Sequence, residues 1–168
     1  MMGLLVPTML KIPCHPDEDS MSPTPIPDFS LPGTDNQTFT LSEKLGRTLV
    51  IYFYPKDMTP GCTVEACAFR DGHGALQKAG AVVLGVSKDP VPSHKKFSDK
   101  FSLPFSLLAD EDLKIMKAYG AWGEKSLYGR KFMGTLRVTY IINSNGKIKA
   151  VFKKVKPAGH DREILDLL

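Results

Sequence analysis

Two continuous apolar segments, with a helical segment between them, constrain the fold of this chain most. The first, Thr48–Tyr54, is almost entirely β-branched, aromatic or aliphatic, which predicts a strand buried on both faces. Ala81–Val86 predicts a second strand of the same kind. Residues 59–78 predict a helix, because Thr59-Pro60-Gly61 has the composition of a helix start and Gly80 that of a helix end. The order strand, helix, strand is typical of an α/β protein.

The rest of the chain continues this alternation and adds two hairpins. Short alternating runs flank the turn-forming segment 33–36, and a later pair of runs flanks the turn 143–146, so a β-hairpin is predicted at each place. The later hairpin comprises residues 135–142 and 147–155, and the other predicted elements are helices at 93–101, 112–119 and 161–168 and a strand at 106–108. The expected fold is a mixed central β-sheet flanked by helices, with an N-terminal β-hairpin.

Residues 1–26 differ in composition from the rest of the chain. They are rich in proline, contain an acidic cluster at Asp17–Asp19 and show no sustained helical or strand period, which predicts a flexible N-terminal extension. Residues 27–168 are then the single folded domain. No basic segment with a cleavage site begins the chain, and no apolar run reaches the roughly 18 residues of a membrane span. We therefore expect a cytoplasmic protein.

The formal charge of +4 does not by itself indicate a polyanionic partner. Lys147, Lys149 and Lys153 fall on alternate positions of a predicted strand, so they share one solvated face. No aromatic side chains interleave on that face as a surface for stacked bases requires. Nucleic-acid binding is therefore not predicted.

The cysteines indicate reactive chemistry. Their number is three, an odd count, which does not fit a purely structural disulfide framework. Cys62 lies in the first turn of the predicted helix, where unpaired backbone N–H groups and the positive end of the helix dipole favour an anion. The thiolate is the nucleophilic form of cysteine. The alternative is an ordinary buried cysteine beside a routine helix start.

Cys67 follows five residues later. On an intact helix this spacing separates the two Cα atoms by roughly 8.6 Å and points the side chains apart, whereas a disulfide needs Cα atoms within about 7 Å. If the two cysteines react with each other, the first helical turns must unwind, and Cys62 works first and alone. The alternative for Cys67 is a core-facing helix position beside Ala66 and Phe69.

Two separated motifs resemble one family. The segment Tyr54–Asp71 is similar to the active-site segment of the Q-type peroxiredoxins, also called bacterioferritin comigratory proteins. The family's pattern of proline, threonine and peroxidatic cysteine matches Pro55, Thr59 and Cys62, and its resolving cysteine matches Cys67. The second motif lies within residues 122–142.

The second motif contains an arginine that faces the cysteine in this family, and it matches Arg137. The resemblance covers the chain from about residue 27 to its end. It implies a thioredoxin-like fold and a thiol peroxidase that acts on hydrogen peroxide and organic hydroperoxides without a metal or organic cofactor. It also implies recycling by thioredoxin or a glutaredoxin-like dithiol, and a monomer.

The matched residues also have roles that their chemistry supports. Strand alternation puts Arg137 on the same face as Thr139 and Ile141, where its guanidinium would stabilise a thiolate and hold a peroxide oxygen. Its alternative is an exposed edge position. The Thr59 hydroxyl can bind the peroxide or cap the helix, and Pro55 can shield the thiolate or merely form the turn.

Other candidates and classes remain open at this point. A thioredoxin-like dithiol oxidoreductase would use the same cysteine at the helix start, and a non-catalytic module would hold a metal or a partner through the cysteines. The histidines are scattered and lack the paired spacings of structural zinc sites, so no metal site is predicted. Glu65 is interpreted as a first-turn helix carboxylate and Trp122 as a packing residue.

Overall fold

A computed structural model describes residues 26–168. The predicted extension, apart from its last residue, lies outside the described residues, and so does Cys14. The elements in chain order are β1 (Ser30–Pro32), β2 (Thr38–Thr40), β3 (Thr48–Phe53), α1 (Pro60–Lys78), β4 (Ala81–Ser87), α2 (Val91–Phe101), β5 (Ser106–Ala109), α3 (Lys114–Ala118), β6 (Trp122–Leu127), β7 (Arg130–Thr135), β8 (Val138–Ile142), β9 (Ile148–Phe152) and α4 (His160–Leu165).

The central sheet has five strands in the order β5-β4-β3-β8-β9. Strands β3, β4 and β5 run parallel, and β8 and β9 are antiparallel to their neighbours. Val50 and Tyr52 pack in one core with side chains of α1, α2 and α4, whereas Leu49 and Ile51 pack in a second core with α3 and the β1–β2 hairpin. The apolar run of β3 therefore fills both cores, and the predicted mixed sheet with an N-terminal hairpin is confirmed.

The register of β8 on β3 places the residues that precede β8. Phe53, the last residue of β3, pairs with Val138, the first residue of β8. Arg137 therefore emerges at the edge of the sheet where β3 ends and the chain turns into α1. The short connection 54–59 and Arg137 meet at this edge because the two central strands are antiparallel.

The region before β8 differs from the prediction in two ways. The predicted strand 135–142 is divided: Thr135 ends β7, and Leu136 donates its backbone N–H to the carbonyl of Ala121 at 2.7 Å. Arg137 therefore lies in a two-residue connection and not on a strand. The β6–β7 hairpin was not predicted, since its turn residues Tyr128 and Gly129, with φ of 50° and 76°, lack the usual Asn-Gly or Asp-Gly signal.

Candidate active site

The start of α1 forms as its sequence predicts. Thr59 is the N-cap residue in an extended conformation and Pro60 is the first helical residue, so Cys62 is the third. The Cys62 side chain is 1% exposed and packs in the core with Ala66 and Phe69. A buried sulfur among the free N–H groups of a helix start has little water to solvate its anion, so the helix itself and nearby cations must do so.

Arg137 supplies that cation. Its Nη2 donates a hydrogen bond to the Sγ of Cys62 at 3.3 Å. The side chain projects toward α1, the side on which Ile141 joins the core that contains Cys62, although Arg137 itself precedes the strand. Arginine presents several N–H donors in a fixed plane, so one group can bind the sulfur while another faces a peroxide oxygen.

Gly61 makes room for this contact. A Cβ atom at Gly61 would lie 2.8 Å from the Nη2 of Arg137 and 3.6 Å from its Cζ. Real Cβ atoms do not approach a nitrogen so closely, so a side chain here would move the guanidinium. The glycine in the segment Thr-Pro-Gly-Cys is therefore needed for the approach of Arg137 to the sulfur.

Glu65 lies on the same face of α1, one turn after Cys62. It is the sixth residue of the helix and 1% exposed, so its interpretation as a first-turn carboxylate is wrong. Its Oε2 lies 3.5 Å from the Nη1 of Arg137. Neither carboxylate oxygen nor this Nη1 has a hydrogen-bond partner among the described residues. Burial raises the pKa of Glu65 to about 7 although the charge of Arg137 acts to lower it.

Glu65 and Cys62 therefore both approach the guanidinium of Arg137, Glu65 at Nη1 and Cys62 at Nη2. With its pKa raised to about 7, the Glu65 carboxyl changes its charge beside Arg137 near neutral pH. The spacing of three residues from Cys62 was the available sequence signal, because residues three apart share one face of a helix.

Replacing Glu65 with glutamine should change the pH dependence of stability. The pKa rises from 4.5 in the unfolded chain to about 7 in the folded protein, so between these values the folded state holds a proton that the unfolded state has lost. The free energy of unfolding of the wild type should therefore fall, relative to Glu65→Gln, by about 3 kcal/mol from pH 4 to pH 8. Urea unfolding across this range measures the difference, and parallel pH curves for the two proteins would contradict it.

The other matched residues surround the helix start. The Thr59 hydroxyl donates to the backbone carbonyl of Lys56 at 2.9 Å and makes no capping bond to α1. Thr59 thus occupies the N-cap position, but its side-chain oxygen accepts no hydrogen bond from the N–H groups of α1. Pro55 is half-buried in the turn that follows β3.

Cys67 lies one turn and a half further along α1 and is half-buried. Both cysteines are free thiols, and α1 is continuous from Pro60 to Lys78. In this conformation helix geometry keeps the two sulfurs apart. The structure therefore brings Cys62 and Arg137 together and leaves Cys67 outside their contact.

Two further features bear on the type of protein. Within residues 26–168, no group of three or more His, Cys, Asp or Glu side chains is close enough to share a metal ion. None of the helices in this range is both long enough and apolar enough to cross a bilayer.

Comparisons with known proteins agree with the geometry. The model of the AhpC/TSA family matches residues 23–151. A relative from Coxiella burnetii is 46% identical over 142 residues, which cover 84% of this chain and 94% of the relative. The peroxiredoxin Bcp of Bacillus subtilis is 44% identical over 142 residues, covering 84% of this chain and 90% of that protein.

A solved structure shows the same fold. The bacterioferritin comigratory protein of Xanthomonas campestris, studied for its alkyl peroxide reduction activity, superposes with a TM-score of 0.78 at 39% identity and covers 82% of this chain and 88% of its own. The resemblance stated from the two motifs is thereby confirmed. The chain belongs to the AhpC/TSA family and is a peroxiredoxin, a thiol peroxidase of the bacterioferritin comigratory type.

Proposed function

We propose that Cys62 is the peroxidatic residue of this enzyme. Its thiolate attacks the nearer oxygen of a hydroperoxide, an S–O bond forms, the O–O bond breaks, and the departing oxygen takes up a proton to leave as water or an alcohol. Cys62 becomes a sulfenic acid. The observation that carries this assignment is the 3.3 Å hydrogen bond from Arg137 to a buried sulfur at a helix start.

We assign substrate binding to Arg137, Thr59 and Pro55. Arg137 and the free N–H groups at the start of α1 stabilise negative charge on the sulfur and on the departing oxygen. The Thr59 hydroxyl, held by the carbonyl of Lys56, accepts the peroxide O–H and keeps the two oxygens in line with the sulfur. Pro55 limits the access of water at the turn beside the helix start.

We assign the resolving role to Cys67. Because α1 holds the two cysteines apart, its first turns unwind after oxidation, and the Cys67 thiol then attacks the sulfenic sulfur. A disulfide within one chain forms and water leaves. An external dithiol protein of the thioredoxin or glutaredoxin type reduces this disulfide and restores both thiols.

Several finer assignments complete the proposal. The substrates are hydrogen peroxide and organic hydroperoxides, in line with the alkyl peroxide reduction studied for the Xanthomonas campestris relative. The enzyme acts in antioxidant defence as a cytoplasmic monomer, since resolution within one chain needs no second subunit. The folded domain comprises residues 27–168.

A Cys67→Ser variant tests the assignment of the two cysteines. It should consume one equivalent of peroxide per chain at the wild-type rate and then stall, because the thiol that resolves the sulfenic acid of Cys62 has been removed. Stopped-flow measurement of peroxide with thioredoxin and its reductase gives both the burst and the steady state, and mass spectrometry should find one added oxygen on Cys62. Sustained turnover of this variant with thioredoxin would contradict the resolving role of Cys67.

A further inference from the structure

The connection between β3 and α1 is held by one buried carboxylate. Asp57 is 4% exposed. Its Oδ1 accepts from the hydroxyl of Tyr54 at 2.7 Å, and its Oδ2 accepts from the hydroxyl of Ser93 at 2.8 Å and lies 2.7 Å from the Nδ1 of His94. These four residues, Tyr54, Asp57, Ser93 and His94, form the Asp57 cluster. It fastens the connection 54–59 to the first turns of α2.

A hydrogen bond to Asp89 also holds the backbone of the connection 54–59. The N–H of Asp57 donates to the Oδ2 of Asp89 at 2.8 Å, and the hydroxyl of Ser87 donates to the same oxygen at 2.9 Å. Ser87 ends β4 and Asp89 follows it. Since β3 and β4 are parallel neighbours, their two following loops lie side by side and brace each other.

The ring of His94 bridges Asp57 and strand β5. Its Nε2 lies 3.0 Å from the backbone carbonyl of Leu108, and its Nδ1 lies 2.7 Å from the carboxylate of Asp57. Both partners are hydrogen-bond acceptors, so each ring nitrogen of His94 faces an acceptor and the ring joins the connection 54–59 to β5. Burial acts to raise the pKa of Asp57, but the contact with His94 and the hydrogen bonds from Tyr54 and Ser93 together keep that pKa below its ordinary value.

The residue that follows is in a strained conformation. Met58 has a φ of 65°, in the left-handed region, which is unfavourable for a residue with a Cβ. Its side chain is 43% exposed, so packing of Met58 itself does little to hold this backbone. Strained positions persist only where neighbouring contacts fix them. Here the contacts are the Asp57 cluster on one side and the start of α1, from Thr59, on the other.

We propose that Asp57 and His94 are positioning residues of the peroxidase, and that the contact between them holds the connection 54–59 in the arrangement that reacts with peroxide and opposes the unwinding of α1. None of the hydrogen bonds of Asp57 and His94 goes to the sulfur of Cys62. The contact acts through Thr59, which it places beside the helix start, and through the strain at Met58, which unwinding would release. This inference rests on the proposed roles of Cys62 and Cys67.

The pair should therefore set the fate of the sulfenic acid. While α1 stays wound, Cys67 cannot reach Cys62, and a second hydroperoxide can transfer one oxygen to the sulfenate, giving a sulfinic acid and an alcohol or water. A strong contact between Asp57 and His94 lengthens the time during which α1 stays wound and the sulfenic acid is open to a second hydroperoxide. Weakening this contact should slow the reaction of Cys62 with peroxide. It should also shorten the lifetime of the sulfenic acid, so the enzyme should become less sensitive to overoxidation.

The test compares Asp57→Asn, His94→Gln and the double variant with the wild type. Each single variant should lower the second-order rate constant for peroxide by about tenfold and raise several-fold the peroxide concentration that inactivates half of the enzyme during turnover with thioredoxin. The double variant should have about the same rate constant and the same inactivating peroxide concentration as either single variant, because both changes remove the same contact. Sensitivity per turnover does not depend on how much of the enzyme is folded, so a loss of stability alone would leave it unchanged.

Asp110→Asn is the matched control. Its buried carboxylate accepts from the backbone N–H groups of Ile115 and Met116 at 3.3 and 2.8 Å, which lie at α3 and outside the Asp57 cluster. It should lose stability while keeping the rate constant and the sensitivity of the wild type. If Asp57→Asn does not fold, Ser93→Ala removes one bond of the cluster and should show a smaller shift in the same two directions.

The outcomes separate this inference from the proposed function. If the wild type turns over with peroxide but the Asp57, His94 and Ser93 variants match Asp110→Asn in both quantities, the positioning role is wrong and the peroxidase assignment stands. A wild type that reduces no peroxide through Cys62 would overturn both.

Discussion

Replacing Cys62 with serine should lower the rate of peroxide consumption by at least about 10,000-fold, to the level of the buffer. A serine hydroxyl stays protonated near neutral pH, and its oxygen is a poor nucleophile toward an O–O bond. Arg137 would still lie beside position 62, but there would be no thiolate there to attack the peroxide. Stopped-flow measurement with a peroxide-specific detector, with thioredoxin and its reductase present, gives the rate directly.

The two serine variants form a matched pair, since each removes one sulfur from the same helix. Cys62→Ser should show no first turnover, whereas Cys67→Ser should complete it. The serine at position 62 is nearly isosteric with the cysteine in its 1% exposed site, so the fold should persist, which circular dichroism can check. Peroxide consumption by Cys62→Ser that stops on alkylation of the remaining thiols would move the peroxidatic role to Cys67 or Cys14.

The central part of the fold follows closely from local sequence. The run predicted as a strand at Thr48–Tyr54 forms β3 over Thr48–Phe53, and the helix predicted for residues 59–78 forms α1 over Pro60–Lys78. These bounds are sharp because a doubly buried strand needs an unbroken apolar run, and because proline and glycine mark the ends. The position of Cys62 in the first helical turn follows from the same signals.

The β6–β7 hairpin did not follow from the sequence because it lies largely outside the two cores. Leu127, Phe132 and Met133 are exposed. Because neither strand has a buried face there, the sequence shows no alternation of apolar and polar residues that would predict the hairpin. The sequence also did not show that Arg137 precedes β8 and does not belong to it, for a related reason. The segment 134–137 leaves one hairpin and enters the central sheet, and the exact residue where pairing resumes depends on β3 and not on local sequence.

The partners of the supporting polar residues could not be predicted from local sequence, for a different reason. Glu65 and Asp57 each depend on partners distant in the chain, Arg137 and His94. A glutamate on a helix looks the same in sequence whether it faces water or a guanidinium, and His94 was one of four scattered histidines. Arg137 itself was located by the family motif and by strand alternation, which put it on the correct side of the sheet.

Replacing Arg137 with glutamine should lower the second-order rate constant for peroxide by about 100- to 1,000-fold, the usual effect of removing one preorganised donor to a developing anion. The substitution removes the 3.3 Å hydrogen bond to the sulfur and the positive charge of its donor. It also leaves the buried Glu65 carboxylate, 3.5 Å from Nη1, without its counterion. Arg137→Lys should recover only part of the rate, because lysine keeps the charge but not the planar set of donors.

Gly61→Ala tests the same contact without removing the arginine. An alanine Cβ would lie 2.8 Å from Nη2, and since alanine favours helices more than glycine does, the fold should hold while the guanidinium moves off the sulfur. We expect a loss of about tenfold, smaller than that of Arg137→Gln because the displaced cation still acts over a few ångströms. Iodoacetamide alkylation of Cys62, in a background with Cys14 and Cys67 changed to serine, should report less thiolate near neutral pH in all three variants. Wild-type alkylation and wild-type peroxide rates in Arg137→Gln would show that the helix start stabilises the anion unaided, and that the bond from Arg137 is incidental to the chemistry.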